Sequence, residues 1–198
     1  ELIEVDYEPL PASTSTAKAS DPDTPPVWDE NPDNVCYTHF EGDEAATKAA
    51  FDKADHVVRQ TFNINRVSAN SMETRGCIGT FDTYDDSYVI YTTLQGVPLY
   101  RAALAKRVLK VPEHKVRVIA GDVGGGFGMK SAIYNEVALC LMAAKDLGRP
   151  VKWISSRSEA LLSDGHGRDY VTVGELALDN EGNFLGLKVQ TTSAIGAY

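Results

Sequence analysis

The sequence predicts an α+β fold made mainly of antiparallel strands with a few flanking helices. Segments between residues 56 and 93 alternate apolar and polar side chains, which is the period of a half-buried strand. Two further alternating segments, 170–178 and 184–192, flank the turn sequence Asp-Asn-Glu-Gly and predict a hairpin. Apolar residues recur at helical spacing over 98–111 and 131–147. Both types of element are therefore expected in this chain.

The N-terminal part of the sequence shows little periodicity. Residues 2–7 alternate as a strand would, and the prolines that follow end it. The stretch 12–34 is rich in Ser, Thr, Asp and Pro and predicts an extended linker, followed by a short strand over 35–40. We therefore expect residues 1–11 to be the tail of a preceding domain, 12–34 to be a linker and 35–198 to be the first section of another domain.

The elements after residue 40 are predicted from local start and stop signals. Helices are expected over 44–54, 98–111, 131–147 and 155–163, and short strands over 116–119 and 151–154. Asp43 is placed to cap the first helix, Pro98 to start the second and Gly148 to end the third. The alternating segments between 56 and 93 are expected to form an antiparallel meander.

Composition excludes several classes of function. The chain has 198 residues, and 19 Lys+Arg against 28 Asp+Glu give a formal net charge of −9. An acidic chain with scattered basic residues disfavours nucleic-acid binding. No apolar run approaches the roughly 20 residues of a membrane span, and the charged start ELIEVDYE is neither a signal nor a transit peptide. The compartment stays open, with the cytoplasm favoured over the periplasm.

The metal-ligating residue types are too dispersed to predict a metal site. Cys36, Cys77 and Cys140 are an odd number of widely separated cysteines, so a disulfide framework is not expected and all three are predicted to be core thiols. The four histidines show neither H-x-x-x-H nor H-E-x-x-H spacing. No metal ligated by protein side chains is therefore expected.

The densest motif is the glycine loop, GDVGGGFGMK at residues 121–130, which contains five of the 16 glycines. Such clustering indicates positive φ angles or a backbone that something approaches closely. Because a strand precedes it and a helix follows, its N–H groups are expected to converge at a helix N-terminus and favour an anion or oxygen acceptor, with Lys130 adding charge. Rossmann and P-loop spacings are both absent. A tight turn packed against its own domain and a phosphate-binding loop stay open as alternatives.

This loop strongly resembles that of the molybdenum-cofactor-binding subunits of the xanthine oxidase family, which includes aldehyde oxidoreductases and aerobic carbon monoxide dehydrogenases. Other segments resemble the family in order and spacing: IEVDYEPLPA, GD-x-x-x-A at 42–46, SMETRG at 71–76, LQGVPLYR at 94–101, LGRPVKW at 147–153 and D-x-H-x-RD at 164–169. The resemblance covers nearly the whole chain. It implies that the α+β fold is part of a molybdenum-cofactor-binding domain.

The resemblance also implies cofactors and partners. A molybdenum–molybdopterin cofactor is expected, with a pterin dinucleotide as one form, and iron–sulfur and FAD groups belong to partner chains or domains. The other partners are the remaining part of the molybdenum subunit and a small-molecule substrate. The implied reaction is oxidative hydroxylation of an aldehyde, an N-heterocycle or a similar small substrate, or CO oxidation. The family's glutamate base lies near the end of the large subunit, so the chain alone should be inactive; the alternative is a non-catalytic fragment or assembly module whose glycine loop is empty.

Five site residues follow from the resemblance. Gln95 looks like the glutamine that hydrogen-bonds a molybdenum oxygen ligand, although without the family it would be interpreted as a surface glutamine in a turn. The backbone around Gly125, Gly126, Phe127 and Gly128 matches the segment whose amides approach the metal ligands and the pterin. Phe127 is also a candidate core anchor for the turn.

Nearby polar residues are expected to be structural. Glu73 and Arg75 are predicted to form a charge or hydrogen-bond pair near the site. His166, Arg168 and Asp169 are predicted to serve turns and packing, with no catalytic role.

The chain departs from the family pattern in two places. Asn70 and Ser71 stand where a histidine is common, so that local network differs. Ser131 stands where purine-hydroxylating members place a glutamate that helps bind substrate. A xanthine-type substrate is therefore disfavoured.

Overall fold

The computed structural model describes residues 3–196, which divide into two compact units. One unit combines residues up to Arg66 with those from Arg168 onward, and the other is the continuous segment from Val67 to Gly167. Helices and mostly antiparallel strands occur together, so the predicted α+β class is confirmed. None of the helices in the described part of the chain is long and apolar enough to span a membrane.

The regular elements are as follows. The strands are β1 His56–Ile64, β2 Val67–Ser68, β3 Gly76–Asp82, β4 Ser87–Thr92, β5 Val116–Ile119, β6 Val151–Ile154, β7 His166–Gly167, β8 Tyr170–Leu178 and β9 Phe184–Ser193. The α-helices are α1 Glu44–Asp52, α2 Val97–Ala103, α3 Asn135–Leu147 and α4 Arg157–Ser163. A π-helix, Leu104–Leu109, continues α2, and 3₁₀ turns cover Thr16–Lys18, Glu113–Lys115 and Met129–Ser131.

The discontinuous unit is built on an antiparallel sheet in the order β1-β8-β9. The predicted hairpin is confirmed, and its turn is held by Asp179, which accepts from the amides of Glu181 and Asn183. The predicted meander is confirmed for β3 and β4, which pair antiparallel, and wrong for β1, which pairs with β8, with His56 opposite Leu178, instead of with β3. Period-two patterning specifies which side chains share a face but does not specify the partner strand.

Two short predicted strands near the N-terminus are not formed. Residues 3–7 and 35–40 have no strand pairing in the structure, and residue 2, where the first prediction begins, lies outside the described residues. Alternation alone is a weak signal because a strand also needs a neighbour to complete its hydrogen bonds. The division into a tail, a linker and a first domain section stays a prediction.

The continuous unit contains the main core and the glycine loop. Its sheet has the order β5-β4-β3-β6, with β4 and β5 parallel and the other pairs antiparallel. Helix α3 packs across β3 and buries apolar side chains against the sheet. The fully buried members are Ile90, Leu104, Ala105 and Leu141. Strands β2 and β7 pair at the two ends of this segment.

Helix ends follow the predicted capping chemistry with one exception. Asp43 accepts from the amide of Ala46 at 2.9 Å and caps α1, and Gly148 ends α3 in the left-handed region at φ 62°. Pro98 lies in the first turn of α2. The start of α3 was predicted at residue 131 but lies at Asn135, because the backbone is extended at Ala132 and Tyr134.

The cysteines divide into two buried thiols and one exposed thiol. Cys77 and Cys140 are core residues as predicted, and burial, followed by the neighbouring Cys140, raises the pKa of Cys77 to about 12. The core prediction is wrong for Cys36, which is exposed in the segment that forms no strand.

Gly79 of β3 allows the close approach of α3. A Cβ at this position would lie 2.8 Å from the carbonyl carbon and oxygen of Cys140, and backbone atoms cannot move aside as a flexible side chain can. We expect Gly79→Ala to destabilise the continuous unit by about 1–3 kcal/mol through overpacking, measured as the free energy of opening by native-state hydrogen exchange. Gly167→Ala, with open space around the new Cβ, is the matched control. An unchanged free energy for Gly79→Ala would contradict this packing.

Candidate functional site: the glycine loop

The glycine loop follows β5 and is irregular until the 3₁₀ turn at Met129–Ser131. Positive φ occurs at Gly125 (96°), Phe127 (52°) and Gly128 (87°). A bulky residue at positive φ costs about 1–3 kcal/mol, and such strain concentrates at functional sites. The predicted helix N-terminus beneath the loop is wrong, because α3 begins only after the extended residues described above.

Three successive amides of the loop lack a protein acceptor. Within the described residues, the N–H groups of Gly125, Gly126 and Phe127 donate no hydrogen bond. The flanking amides are engaged: Gly124 donates to Glu73 Oε2 at 2.8 Å and Gly128 to Gln95 Oε1 at 2.9 Å. Backbone in which positive φ recurs at alternate positions directs neighbouring N–H groups into a concave nest for an anion or an oxygen acceptor. The loop therefore offers donors without a net charge.

Phe127 points away from the core. Its side chain is 77% exposed, so the alternative in which it anchors the turn in the core is wrong. The adjoining Met72 is also exposed, while Ser71 is buried and donates to the Glu73 carbonyl at 2.7 Å. Phe127 Cε2 lies 3.0 Å from the position a Cβ would take on Gly125, so the ring lies over the loop backbone.

Gln95 lies directly against the loop. Its Oε1 accepts from the Gly128 amide, and this contact fixes the carboxamide orientation and leaves the Nε2 hydrogens to donate elsewhere. Its own amide donates to the Lys130 carbonyl at 3.1 Å. A Cβ on Gly126 would lie 2.4 Å from Gln95 Oε1. The structure therefore brings together the five residues predicted as cofactor-binding: Gln95, Gly125, Gly126, Phe127 and Gly128.

Packing explains part of the glycine clustering. Gly126 is packed against Gln95 as described, and a Cβ on Gly124 would lie 2.6 Å from Glu73 Cβ. The alternative of a turn packed against its own domain therefore accounts for two glycines. It does not account for the three amides without acceptors.

The predicted pair between Glu73 and Arg75 is wrong, because each side chain has a different partner. Glu73 binds Lys130, with Oε2 at 2.9 Å from Nζ. Desolvation alone would raise the pKa of Glu73, but the hydrogen bonds from Lys130 and the Gly124 amide, together with the Lys130 charge, lower it below the ordinary value. Lys130 is fully buried, so the expectation that it adds free charge beside the loop is also wrong.

Arg75 anchors two helices behind the loop. Its guanidinium binds Asp164 at 2.6 Å and Glu136 at 3.0 Å, and it lies 3.6 Å from the centre of the Tyr134 ring. Burial alone would lower the pKa of Arg75, but the hydrogen bonds to Glu136 and Asp164 raise it. This network joins the start of β3 to α3 and α4, and the Tyr134 hydroxyl links it to the loop by donating to the Met129 carbonyl at 3.0 Å.

The segment that departs from the family pattern is held by Arg157 of α4. Its guanidinium donates to Asn70 Oδ1 at 2.8 Å and to the Ser71 carbonyl at 2.6 Å. No sequence signal predicts this contact, since the residues are far apart in the chain and an arginine on a short helix is common on surfaces.

The D-x-H-x-RD residues lie at a chain turn. Arg168 and Asp169 both have positive φ, near 70°. Asp169 accepts from Thr16 Oγ1 at 2.6 Å and from Arg66 at 3.0 Å, and these bonds lower its pKa. His166 lies in β7. The turn prediction agrees with the positive φ of Arg168 and Asp169, whereas His166 is exposed in a strand and serves neither a turn nor packing.

The donor set fits a cofactor that brings its own metal ligands. Among residues 3–196, no three His, Cys, Asp or Glu side chains are grouped as metal ligands would be. The three amides and the Gln95 NH₂ group are hydrogen-bond donors suited to oxygen acceptors of a bound group. The molybdopterin cofactor-binding domain family model matches residues 27–198.

The chain belongs to this molybdopterin cofactor-binding domain family. The resemblance to molybdenum-cofactor-binding subunits is therefore confirmed. Over its whole length, the chain is 33% identical to the carbon monoxide dehydrogenase large chain of Afipia carboxidovorans, of which it covers 26%.

Solved structures of enzymes are also similar to this molybdopterin cofactor-binding domain. Reconstituted CO dehydrogenase from Oligotropha carboxidovorans superposes with a TM-score of 0.86 at 33% identity, covering 96% of this chain and 25% of that one. Quinoline 2-oxidoreductase from Pseudomonas putida 86 gives a TM-score of 0.79 at 32% identity, covering 95% and 24%. The chain thus spans about a quarter of the length of the relatives it matches.

Proposed function

We propose that this chain is the part of a molybdenum hydroxylase large subunit that holds the molybdopterin cofactor at the glycine loop. The observation that carries the proposal is that three adjacent amides, Gly125 to Phe127, have no acceptor among residues 3–196. Beside them lies the Gln95 carboxamide, whose NH₂ group is also free to donate. Because Phe127 is exposed and Gly125 is half-buried, these donors are accessible to a bound acceptor, which would satisfy them once it excludes water.

Each loop residue has a distinct task in this proposal. The amides of Gly125, Gly126 and Phe127 donate to oxygen or pterin acceptors of the cofactor. Gly128 acts indirectly: its amide donates to Gln95 Oε1, and this bond orients the carboxamide so that Nε2 remains free to donate to the cofactor. When bound, the molybdenum–pterin group supplies two-electron redox chemistry, and the protein supplies binding and orientation.

Electrostatics favours this assignment over the phosphate-binding alternative. Lys130 is buried against Glu73, and α3 begins too late for its N-terminus to lie under the glycines. A phosphate loop normally combines both features, a free cation and a helix N-terminus. Neutral donors alone are better suited to orienting ligand oxygens than to capturing a multiply charged anion.

The complete enzyme is proposed to carry out oxidative hydroxylation of a small substrate. The related solved enzymes named above act on carbon monoxide and quinoline, as their names state. An N-heterocycle, an aldehyde or CO are the candidate substrates, and the neutral, exposed Ser131 beside the loop argues against a xanthine-type ligand. Iron–sulfur and FAD groups on partner chains or domains, and a pterin dinucleotide form of the cofactor, belong to the same proposal.

The proposal is tested by purifying the full-length subunit with its partners from a host that makes molybdopterin. We expect stoichiometric molybdenum and pterin in the complex, and no substrate oxidation by residues 1–198 alone. A complete, folded complex that contains neither molybdenum nor pterin would instead support the alternative of an assembly module with an empty glycine loop.

Gln95→Glu tests the carboxamide donor. The carboxylate still accepts from the Gly128 amide but has no hydrogen to donate, so the complex should keep its cofactor and lose about 10²–10³-fold in kcat. Molybdenum content and steady-state kinetics are measured together. Gln60→Glu is the matched control, because Gln60 is exposed on β1 and bonds only the adjacent Thr61 carbonyl. Full activity of Gln95→Glu would exclude a donor role for this side chain.

A further inference from the structure

One ion pair links Gly124 and Lys130 within the glycine loop; its lysine is buried and its glutamate is 36% exposed. Glu73 Oε2 accepts from the Gly124 amide at 2.8 Å and from Lys130 Nζ at 2.9 Å. The Glu73 amide in turn donates to the Gly124 carbonyl at 3.1 Å. A single carboxylate oxygen therefore connects Gly124, directly before the free amides, to Lys130, which lies beyond Gly128 and Met129.

The same lysine also connects to Gln95. The Lys130 carbonyl accepts from the Gln95 amide at 3.1 Å, while its ammonium group lies at 0% exposure in the interior. Lys130 thus fixes Glu73 through its side chain and Gln95 through its backbone. All the proposed cofactor donors lie between or beside these contacts.

Stability alone does not explain a lysine at this position. Burying an ammonium group has a large desolvation cost, and an apolar side chain of similar volume usually gives equal or greater stability than a buried ion pair. Directional hydrogen bonds, unlike apolar contacts, impose one geometry on the groups they join. The arrangement is consistent with selection for loop geometry.

We propose that Glu73 and Lys130 are positioning residues that set the direction of the Gly125–Phe127 amides and of the Gln95 carboxamide. This inference rests on the proposed function for its purpose, but the effect on loop order exists with or without a cofactor. Neither residue needs to touch the cofactor: Lys130 is buried, and the Glu73 oxygen in question is occupied by two donors.

The test uses the full-length enzyme complex in cofactor-free and cofactor-loaded forms. The key variant is the double substitution Glu73→Gln with Lys130→Met, which removes both charges and avoids an unpaired buried ammonium. We expect the fold to persist, amide hydrogen exchange over residues 121–130 to rise about tenfold in the cofactor-free form, and molybdenum release from the loaded form to accelerate about 10–100-fold.

Gly79→Ala is the matched control, because it lowers the stability of the same unit through a clash with the backbone of Cys140 in α3. It should lower stability while leaving exchange over residues 121–130 unchanged relative to the rest of the unit. Unchanged loop exchange in the double variant, or an equal loop response in the control, would overturn the positioning role. Because the exchange measurement needs no cofactor, it separates this outcome from a wild-type complex without molybdenum, which would refute the proposed function instead.

Discussion

Gly126→Ala is expected to remove the molybdenum cofactor from the full-length enzyme while the domain stays folded. The added methyl group would lie 2.4 Å from Oε1, 2.6 Å from Cδ and 2.9 Å from Cγ of Gln95, so the carboxamide must leave its position. Its displacement breaks the bond from the Gly128 amide and redirects the donors of the loop. We expect molybdenum content below about a tenth of wild type, measured by elemental analysis of the purified complex.

Gly121→Ala is the control for this substitution. Gly121 belongs to the same loop, but no atom lies within 4 Å of a Cβ built on it, and its φ is not in the left-handed region. This variant should keep its molybdenum. Full metal content in Gly126→Ala would show that the position of Gln95 is unimportant for cofactor retention.

Arg75→Met is expected to cause the largest loss of stability in the continuous unit. The guanidinium is 5% exposed, and its removal leaves the 2% exposed carboxylate of Asp164 without a counter-charge. Breaking a buried pair in this way costs about 3–5 kcal/mol, because the remaining charge keeps its desolvation cost. The measurement is the free energy of opening of β3 and β4 from native-state hydrogen exchange, which avoids assuming two-state unfolding of a large enzyme.

Lys106→Met is the control for Arg75→Met. Lys106 also forms an ion pair, with Glu113 at 2.8 Å, but its side chain is 69% exposed. Solvent-exposed pairs contribute little, so the opening free energy should stay at the wild-type value. A similar response from the two variants would contradict the importance assigned to burial.

Local signals predicted the elements whose determinants lie close together in the chain. The β8–β9 hairpin follows from its turn residues, β5 from the short segment Val-Arg-Val-Ile, and the end of α3 from Gly148. These features depend on capping and turn chemistry within a few residues. The predicted start of α3 is four residues too early because the helical spacing of apolar residues extends into the segment before Asn135. That segment is extended, and its Tyr134 hydroxyl donates to the Met129 carbonyl.

Choices between distant partners could not be predicted in the same way. Arg75 is the predicted partner of Glu73 because it is close in the sequence, and only the fold determines that the distant Lys130 binds it instead. The pairing of β1 with β8 could not be predicted either, since alternating apolar and polar residues are equally compatible with any neighbouring strand. For the site, the glycine-loop motif predicted which residues lie together. That the amides from Gly125 to Phe127 have no acceptor among the described residues is visible only in the three-dimensional structure.

The interrupted order of the two units has a consequence for synthesis on the ribosome. Strand β1 emerges first but cannot complete its sheet until β8 follows, and the entire continuous unit is translated between them. At about 5–20 residues per second, the nascent β1 waits several seconds with its edge unpaired. The glycine loop and the core around it, in contrast, belong to one uninterrupted segment of the chain. The proposed cofactor-binding loop can therefore form before β1 and β8 have paired.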